Sequence, residues 1–147
     1  MGLVSLTRLR LHSWHAYPAF SVWVLGSLWQ SLRAEGLVGL QLLRDRQHAF
    51  WTLTLWRDSQ SMEAFRNQGA HGQAMRHLAQ WCDESAAAHW SVSDEELAQA
   101  CRPQWNELQQ RLMQRGHFAA LPLASEAQRA HLIPDPALGR GRVIRLR

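Results

Sequence analysis

The chain has 147 residues, 46% of them hydrophobic, and a formal charge of +4. This composition predicts one globular domain with a real core and excludes a disordered chain. The basic residues counted are all arginine, and residues 1–139 carry no net charge, so the excess comes from four arginines near the end of the sequence. The globular part therefore lacks the basic bias of a nucleic-acid-binding protein, and we expect no nucleic-acid partner.

The cysteine and hydropathy patterns favour a cytoplasmic location. Cys82 and Cys101 form no CxxC pair, which predicts reduced thiols, and a buried, inert Cys82. The apolar stretch over residues 16–29 is too short for a membrane span and is followed by Gln30 and Arg33. It also lacks a small-residue cleavage site, so we expect neither a signal peptide nor a membrane partner.

The first elements in chain order are a strand, a helix and a hairpin. Alternation over residues 5–14 predicts a strand, and its polar face carries Arg8, Arg10, His12 and Trp14. Pro18 suits the start of a helix that runs to about Arg33. Apolar residues recur along this helix at helical spacing: Val22, Leu25, Leu28, Trp29 and Leu32. Strands over 38–46 and 49–56 should then pair as a hairpin.

Capping residues mark the next elements. Asp58 precedes a short helix that Asn67 and Gly69 end. A second helical run covers 70–81, and 85–92 is predicted as a fourth strand. The order β-α-β-β-α-β is the ferredoxin-like arrangement, in which helices cover one face of a four-stranded antiparallel sheet.

We therefore predict an α+β, ferredoxin-like domain over residues 1–93 and a C-terminal extension over 94–147. The extension should contain a helix at about 104–115 and then an irregular arm that packs on the body or on a partner. The third strand is apolar on one face, with Trp51, Leu53 and Leu55, and mixed on the other, with Phe50, Thr52, Thr54 and Trp56. Because such a strand is buried on both faces, we expect a second copy of the sheet to cover it in a two-fold homodimer.

Two stretches carry a family resemblance. "FWTLTLWRDSQSMEAFRNQGAH" (residues 50–71), followed by "WCDESAAAHW" (residues 81–90), resembles the dimeric α/β-barrel superfamily, in particular its antibiotic-biosynthesis-monooxygenase-like branch. The signature is a strand ending in Trp, an acidic-Ser turn, "EAF", and a His on the following helix. The resemblance spans about residues 5–92 and implies two sheets that face each other as a barrel, with each ligand pocket between sheet and helices.

The resemblance implies roles for particular residues. The row of Trp51, Leu53 and Leu55 would face the partner subunit, and the mixed row would line the pocket. By the same parity the polar candidates for catalysis are Arg10, His12 and His89, with Arg10 holding an oxyanion or carboxylate. Trp14 would add an aromatic wall. The implied activity is that of a small-molecule enzyme resembling cofactor-independent monooxygenases, acting on an aromatic or polyketide-like substrate.

His71 leaves alternatives open. On a helix it lies between Met75 and Leu78 and so faces the sheet, as a core histidine with one hydrogen bond or as a pocket base. Met75 is a candidate substrate contact. We expect no cofactor, and the alternative is a haem-binding or haem-degrading protein in which His71 is the axial ligand. No His pair shows the spacing of a zinc site. A non-catalytic ligand-binding or interaction protein is the third hypothesis.

Overall fold

The computed structural model describes residues 1–136 and 144–145, except for the side chains of Ala70, His71, Ile144 and Arg145. The strands are Gly2–Leu11 (β1), Leu37–Arg44 (β2), Ala49–Trp56 (β3), Cys82–Val92 (β4), His117–Phe118 (β5) and Ile144–Arg145 (β6). The α-helices are Tyr17–Arg33 (α1), Ser59–Asn67 (α2), Gly69–Trp81 (α3), Asp94–Gln99 (α4), Trp105–Arg115 (α5) and Glu126–Arg129 (α6).

All the strands join one antiparallel sheet in the order β5-β4-β1-β3-β2-β6. The βαββαβ arrangement is therefore confirmed for β1 to β4. In the described part of the chain the sheet has six strands rather than the four predicted, because the extension adds β5 beside β4 and β6 beside β2. These additions occupy both edges of the central sheet, where backbone N–H and C=O groups would otherwise be unpaired.

The first face of the sheet packs against α1, α2 and α3. Leu3 and Trp56 are buried there with Met62 of α2, and Leu11 is buried with Phe20 of α1. The start of α2 is fixed by Asp58, whose side chain accepts a hydrogen bond from the backbone N–H of Ser61 at 2.8 Å, as its capping pattern predicts. We call this surface of the sheet the helix face.

The second face packs against the C-terminal extension, and we call it the extension face. Trp51, Leu53 and Leu55 are buried there with Trp105 and Leu112 of α5, and with Ile133 further along the arm. The prediction that this row faces a partner subunit is wrong, because the same chain covers it. Helices therefore lie on both faces of the sheet, and a homodimer would need another surface.

Buried charges fasten the arm to the extension face. Arg8, only 2% exposed, donates to Glu84 at 2.5 Å, and its Nε lies 3.8 Å from Asp45 Oδ2. Glu84 also accepts a hydrogen bond from the hydroxyl of Ser125 at 2.8 Å. Gln128 pairs with both backbone groups of one β4 residue, Ser85. These bonds connect β1, β4 and the arm, so the extension is an integral part of the folded unit.

Candidate functional site

An open cleft of about 620 Å³ lies where β1 ends, beside the turn between β2 and β3 and the start of α1. Its polar lining includes Arg10, His12, Tyr17, Arg44, His48 and Asp83. Trp14, which sits in a short 3-10 turn after β1, forms part of its wall. We call this site the Arg44 cleft, after the residue that distinguishes it.

The β2–β3 turn places His48 beside Arg44. Asp45 accepts hydrogen bonds from the backbone N–H groups of Gln47 and Ala49, both at 2.9 Å, which closes a tight turn. His48 takes a φ of 64° in this turn, in the left-handed region that costs an L-residue about 1 kcal/mol. In this position its Nδ1 accepts a hydrogen bond from Arg44 Nη2 at 3.1 Å. Since arginine only donates, the neutral His48 ring carries its proton on Nε2.

The guanidinium of Arg44 is held by a phenol and an imidazole rather than by a carboxylate of the described residues. Its Nη2 also donates to the hydroxyl of Tyr17 at 3.1 Å, and its central carbon lies 5.7 Å from the Tyr17 ring centroid and 5.6 Å from that of Phe50. Within the described part of the chain, no carboxylate lies within 4.0 Å of it. Arginine has five N–H donors, so three are left for an anionic ligand.

His12 offers a basic nitrogen at the same cleft. Its backbone N–H donates to the carbonyl of Trp81 at 2.9 Å, and its Nε2 lies 3.0 Å from the carbonyl oxygen of Gln80. A carbonyl oxygen only accepts, so the ring proton sits on Nε2. The lone pair of Nδ1 is then the one available in the neutral ring, as a general base requires.

The guanidinium of Arg10 is already paired with the carboxylate of Asp83. It makes two hydrogen bonds to Asp83, at 3.0 and 2.7 Å, and this pairing raises the pKa of Arg10. In the sheet it lies opposite Ala49, on the extension face, and so on the opposite face from Phe50. The prediction that Arg10 shares a face with the mixed row is therefore wrong. Arg10 lines the cleft only because the cleft lies at the end of β1. Arg44, which the sequence pattern did not single out, instead has N–H donors at the cleft that no carboxylate among the described residues occupies.

The mixed row of β3 reaches the cleft only at one end. Phe50 packs beneath it, with its ring centroid 6.0 Å from that of Tyr17 and 5.2 Å from that of Phe20. Thr52 is half-buried, two residues further along β3. Thr54 and Trp56 are buried and bonded to each other, from Trp56 Nε1 to Thr54 Oγ1 at 2.9 Å. The predicted pocket wall is thus a closed core at the Trp56 end.

The remaining predicted residues lie away from this lining. His89 is exposed on β4, where it pairs with Ser5. Met75 is 44% exposed on α3, so that side chain does not face the sheet as predicted. The side chain of His71 lies outside the described residues, and its proposed roles as base or haem ligand stay predictions.

Three further features limit the chemistry of the described chain. No group of three His, Cys, Asp or Glu side chains among the described residues could hold a metal ion. Cys82 is buried as predicted, and burial raises the pKa of its thiol to about 12, which keeps it protonated and unreactive near neutral pH. None of the described helices combines the length and the hydropathy needed to cross a bilayer.

Solved structures with the same fold come from several bacteria and an archaeon. SnoaB from Streptomyces nogalater, a cofactor-independent oxygenase, is 17% identical, with 63% of this chain aligned to 94% of it and a TM-score of 0.51. A Nitrosomonas europaea protein provisionally assigned as an antibiotic biosynthesis monooxygenase is 14% identical, with 61% aligned to 97% and a TM-score of 0.53. A conserved Methanosarcina mazei protein is 11% identical, with 63% aligned to 94% and a TM-score of 0.56.

About a third of this chain has no counterpart in these structures, which are matched over almost their whole length. Among curated proteins none matches. At these identities the comparisons establish the fold, and they confirm the resemblance to monooxygenase-like ferredoxin-fold proteins. Residues 19–117 match a family described as a domain of unknown function, DUF3291. The chain therefore belongs to the DUF3291 family, with a fold of the antibiotic-biosynthesis-monooxygenase type.

Proposed function

We propose that the protein is a small-molecule enzyme of the monooxygenase-like type, which binds an acidic aromatic or polyketide-like substrate in the Arg44 cleft. The observation that carries this proposal is the Arg44 guanidinium, held by Tyr17 and His48 but without a carboxylate partner among the described residues. A cation held in this way favours an anionic ligand. Tyr17 and Phe50 beneath it, with Trp14 at the wall, supply the aromatic surface that a flat substrate needs.

The chemistry follows from the two kinds of group at the cleft. His12 Nδ1 takes a proton from the acidic substrate, and the free N–H donors of Arg44 stabilise the oxyanion that forms. The electron-rich anion then reduces O₂. One oxygen atom enters the substrate, converting a CH₂ group into a carbonyl, and the other leaves as water with the two hydrogens. The substrate supplies all four electrons that O₂ takes up, so this reaction needs no external reductant and no resident cofactor. SnoaB is likewise a cofactor-independent oxygenase.

Binding of a model anion tests the assignment. Anthracene-9-carboxylate should bind and quench tryptophan fluorescence, because Trp14 lies at the cleft wall. Arg44→Gln should raise its Kd about tenfold, equivalent to about 1.4 kcal/mol. The matched control is Arg46→Gln, an exposed arginine in the same turn that should leave the Kd unchanged. Neutral anthracene-9-methanol should bind both variants equally.

Two outcomes would count against the proposal. If Arg44→Gln and Arg46→Gln bind the carboxylate equally well, the Arg44 cleft is not the anion site. If an acidic anthrone substrate is oxygenated at the same rate by the protein and by its His12→Gln variant, His12 is not the base. The circular dichroism spectrum of each variant checks that it is folded.

A further inference from the structure

Helix α1 carries a second apolar row that the fold does not bury. Val22 is 69% exposed, Leu25 66%, Trp29 60% and Leu32 39%. A different row of the same helix faces the sheet, with Phe20 buried and Val24 and Leu28 half-buried. We call the exposed set the α1 row. Since the sheet takes only one side of α1, the α1 row is available to another molecule.

The spacing of the α1 row is that of a helix-pairing seam. Its members are three, four and three residues apart, which corresponds to alternating a and d positions over two heptads. Such a seam fits the side chains of another helix better than it fits an extended peptide or a flat surface. The occupant is therefore expected to be helical.

The charge pattern of α1 favours a second copy of the same helix. In its 17 residues the only charged side chain is Arg33, in the last turn, where its guanidinium stacks on Trp29 at 3.8 Å. A helix that faces water over such a width normally carries several charges. In an antiparallel pair the two arginines lie at opposite ends, so two uncharged helix surfaces can meet without repulsion.

The area of the α1 row is sufficient for the core of an interface. The four side chains expose about 450 Å² per chain, as large as the biggest apolar patch of a typical monomer. Two copies would bury about 900 Å² of apolar surface, and a rim of flanking polar residues brings the total into the range of specific interfaces, about 1,200 Å² and above. Because the chain itself closes the extension face, that face is not open to a second copy, whereas the α1 row is exposed.

We propose that the protein forms a two-fold dimer in which the α1 helices of two copies pack antiparallel along the α1 row. The two-fold axis passes near residue 27. Leu25 then contacts Trp29 of the partner subunit, and Val22 contacts Leu32 of the partner subunit. Each contact occurs twice, as an isologous interface requires. This dimer leaves the Arg44 cleft free, and it does not disturb the extension that covers the other face of the sheet.

Light scattering coupled to size-exclusion chromatography tests the dimer. The protein should elute as a dimer at 5–100 µM, and Leu25→Glu should be monomeric, with the dimer Kd raised at least a hundredfold. Leu132→Glu is the matched control, because Leu132 is 57% exposed in the arm, outside the α1 row. It should remain dimeric. A monomeric wild type, or a Leu25→Glu variant that stays dimeric, overturns the proposal.

A mixing experiment tests the antiparallel register. Leu25→Glu and Trp29→Arg should each be monomeric alone, yet form a heterodimer when mixed, because the introduced carboxylate of one variant would then face the introduced guanidinium of the other across the axis. Failure to form the heterodimer overturns the register.

Flotation with phosphatidylcholine–phosphatidylglycerol vesicles tests whether a membrane, rather than a second copy, covers the α1 row. If the protein is monomeric and binds the vesicles, and Leu25→Glu abolishes that binding, the dimer proposal is overturned in favour of membrane binding. Unchanged circular dichroism shows that each variant is folded.

Discussion

The two faces of the sheet are covered in different ways. On the extension face the Trp51, Leu53 and Leu55 row is no more than 1% exposed, and even the charged Arg8 and Glu84 are buried. On the helix face Trp56 and Leu40 are fully buried as well, but the covering helix α1 exposes the α1 row on its outer side, and the Arg44 cleft opens at one end of the face. We therefore expect substitutions on the extension face to act mainly on stability, and substitutions at the Arg44 cleft and the α1 row to act mainly on the proposed ligand and partner binding.

The largest effect is expected where α5 packs on the sheet. Trp105 is 6% exposed, and its ring meets that of Trp51 edge-on at 6.3 Å. Trp105→Ala should lower the free energy of unfolding by about 3–5 kcal/mol, because it removes a large buried side chain and leaves a cavity. Urea denaturation measures this change as a lower midpoint. A loss below about 1 kcal/mol would mean that the extension contributes little to the free energy of unfolding. The expected difference in stability between the two faces would then be wrong.

Trp14→Ala is the matched control on the other side of the comparison. Trp14 is 75% exposed at the Arg44 cleft, so its removal should change the free energy of unfolding by less than about 0.5 kcal/mol. It should instead weaken fluorescence quenching by the anthracene probe. The two substitutions therefore separate a tryptophan that stabilises the fold from one that lines a site.

The next effect concerns the buried charges. Glu84→Ala leaves the guanidinium of Arg8 buried without its 2.5 Å partner and also removes the acceptor of Ser125. We expect a loss of about 3 kcal/mol in the free energy of unfolding, at the lower end of the range for a broken buried pair, because Asp45 still lies 3.8 Å away. Thermal denaturation of Glu84→Ala beside Glu95→Ala, an exposed carboxylate on α4, checks this. Equal melting temperatures would show that the pair is not important for stability.

Local signals made much of the fold predictable. The third strand is predicted over residues 49–56, the bounds that the structure shows, and the helix predicted at about 104–115 is Trp105–Arg115. Both follow from alternation and helical spacing, which are properties of neighbouring residues. Which face the extension covers was not predictable. That choice depends on contacts such as Trp51 with Trp105, more than fifty residues apart, which no local pattern encodes.

The site was predictable only in part, for the same reason. Arg10, His12 and Trp14 were selected as polar or aromatic residues at the end of a strand, and all three line the cleft. Arg44 and Tyr17 were missed because they meet across 27 positions, once β2 and the start of α1 are in place. Arg10 was assigned to the wrong face of the sheet. The alternation of β1 separates its residues into two faces, but it does not show which face the helices cover and which face the extension covers.

The smallest effect is expected on the helix face, at the exposed cap of α2. The side chain of Asp58 accepts the N–H of Ser61, and this bond lowers the pKa of Asp58. A lowered pKa in the folded state means that the ionised form stabilises the protein, fully above about pH 4, and that this stability is lost as the pH falls through the folded-state pKa. Asp58→Ala should therefore reduce the melting temperature slightly at pH 7, and the difference from wild type should shrink below about pH 4. Glu63→Gln, an exposed carboxylate on the same helix, is the control. A difference that persists unchanged to pH 2.5 would show that the Asp58 charge is not its source.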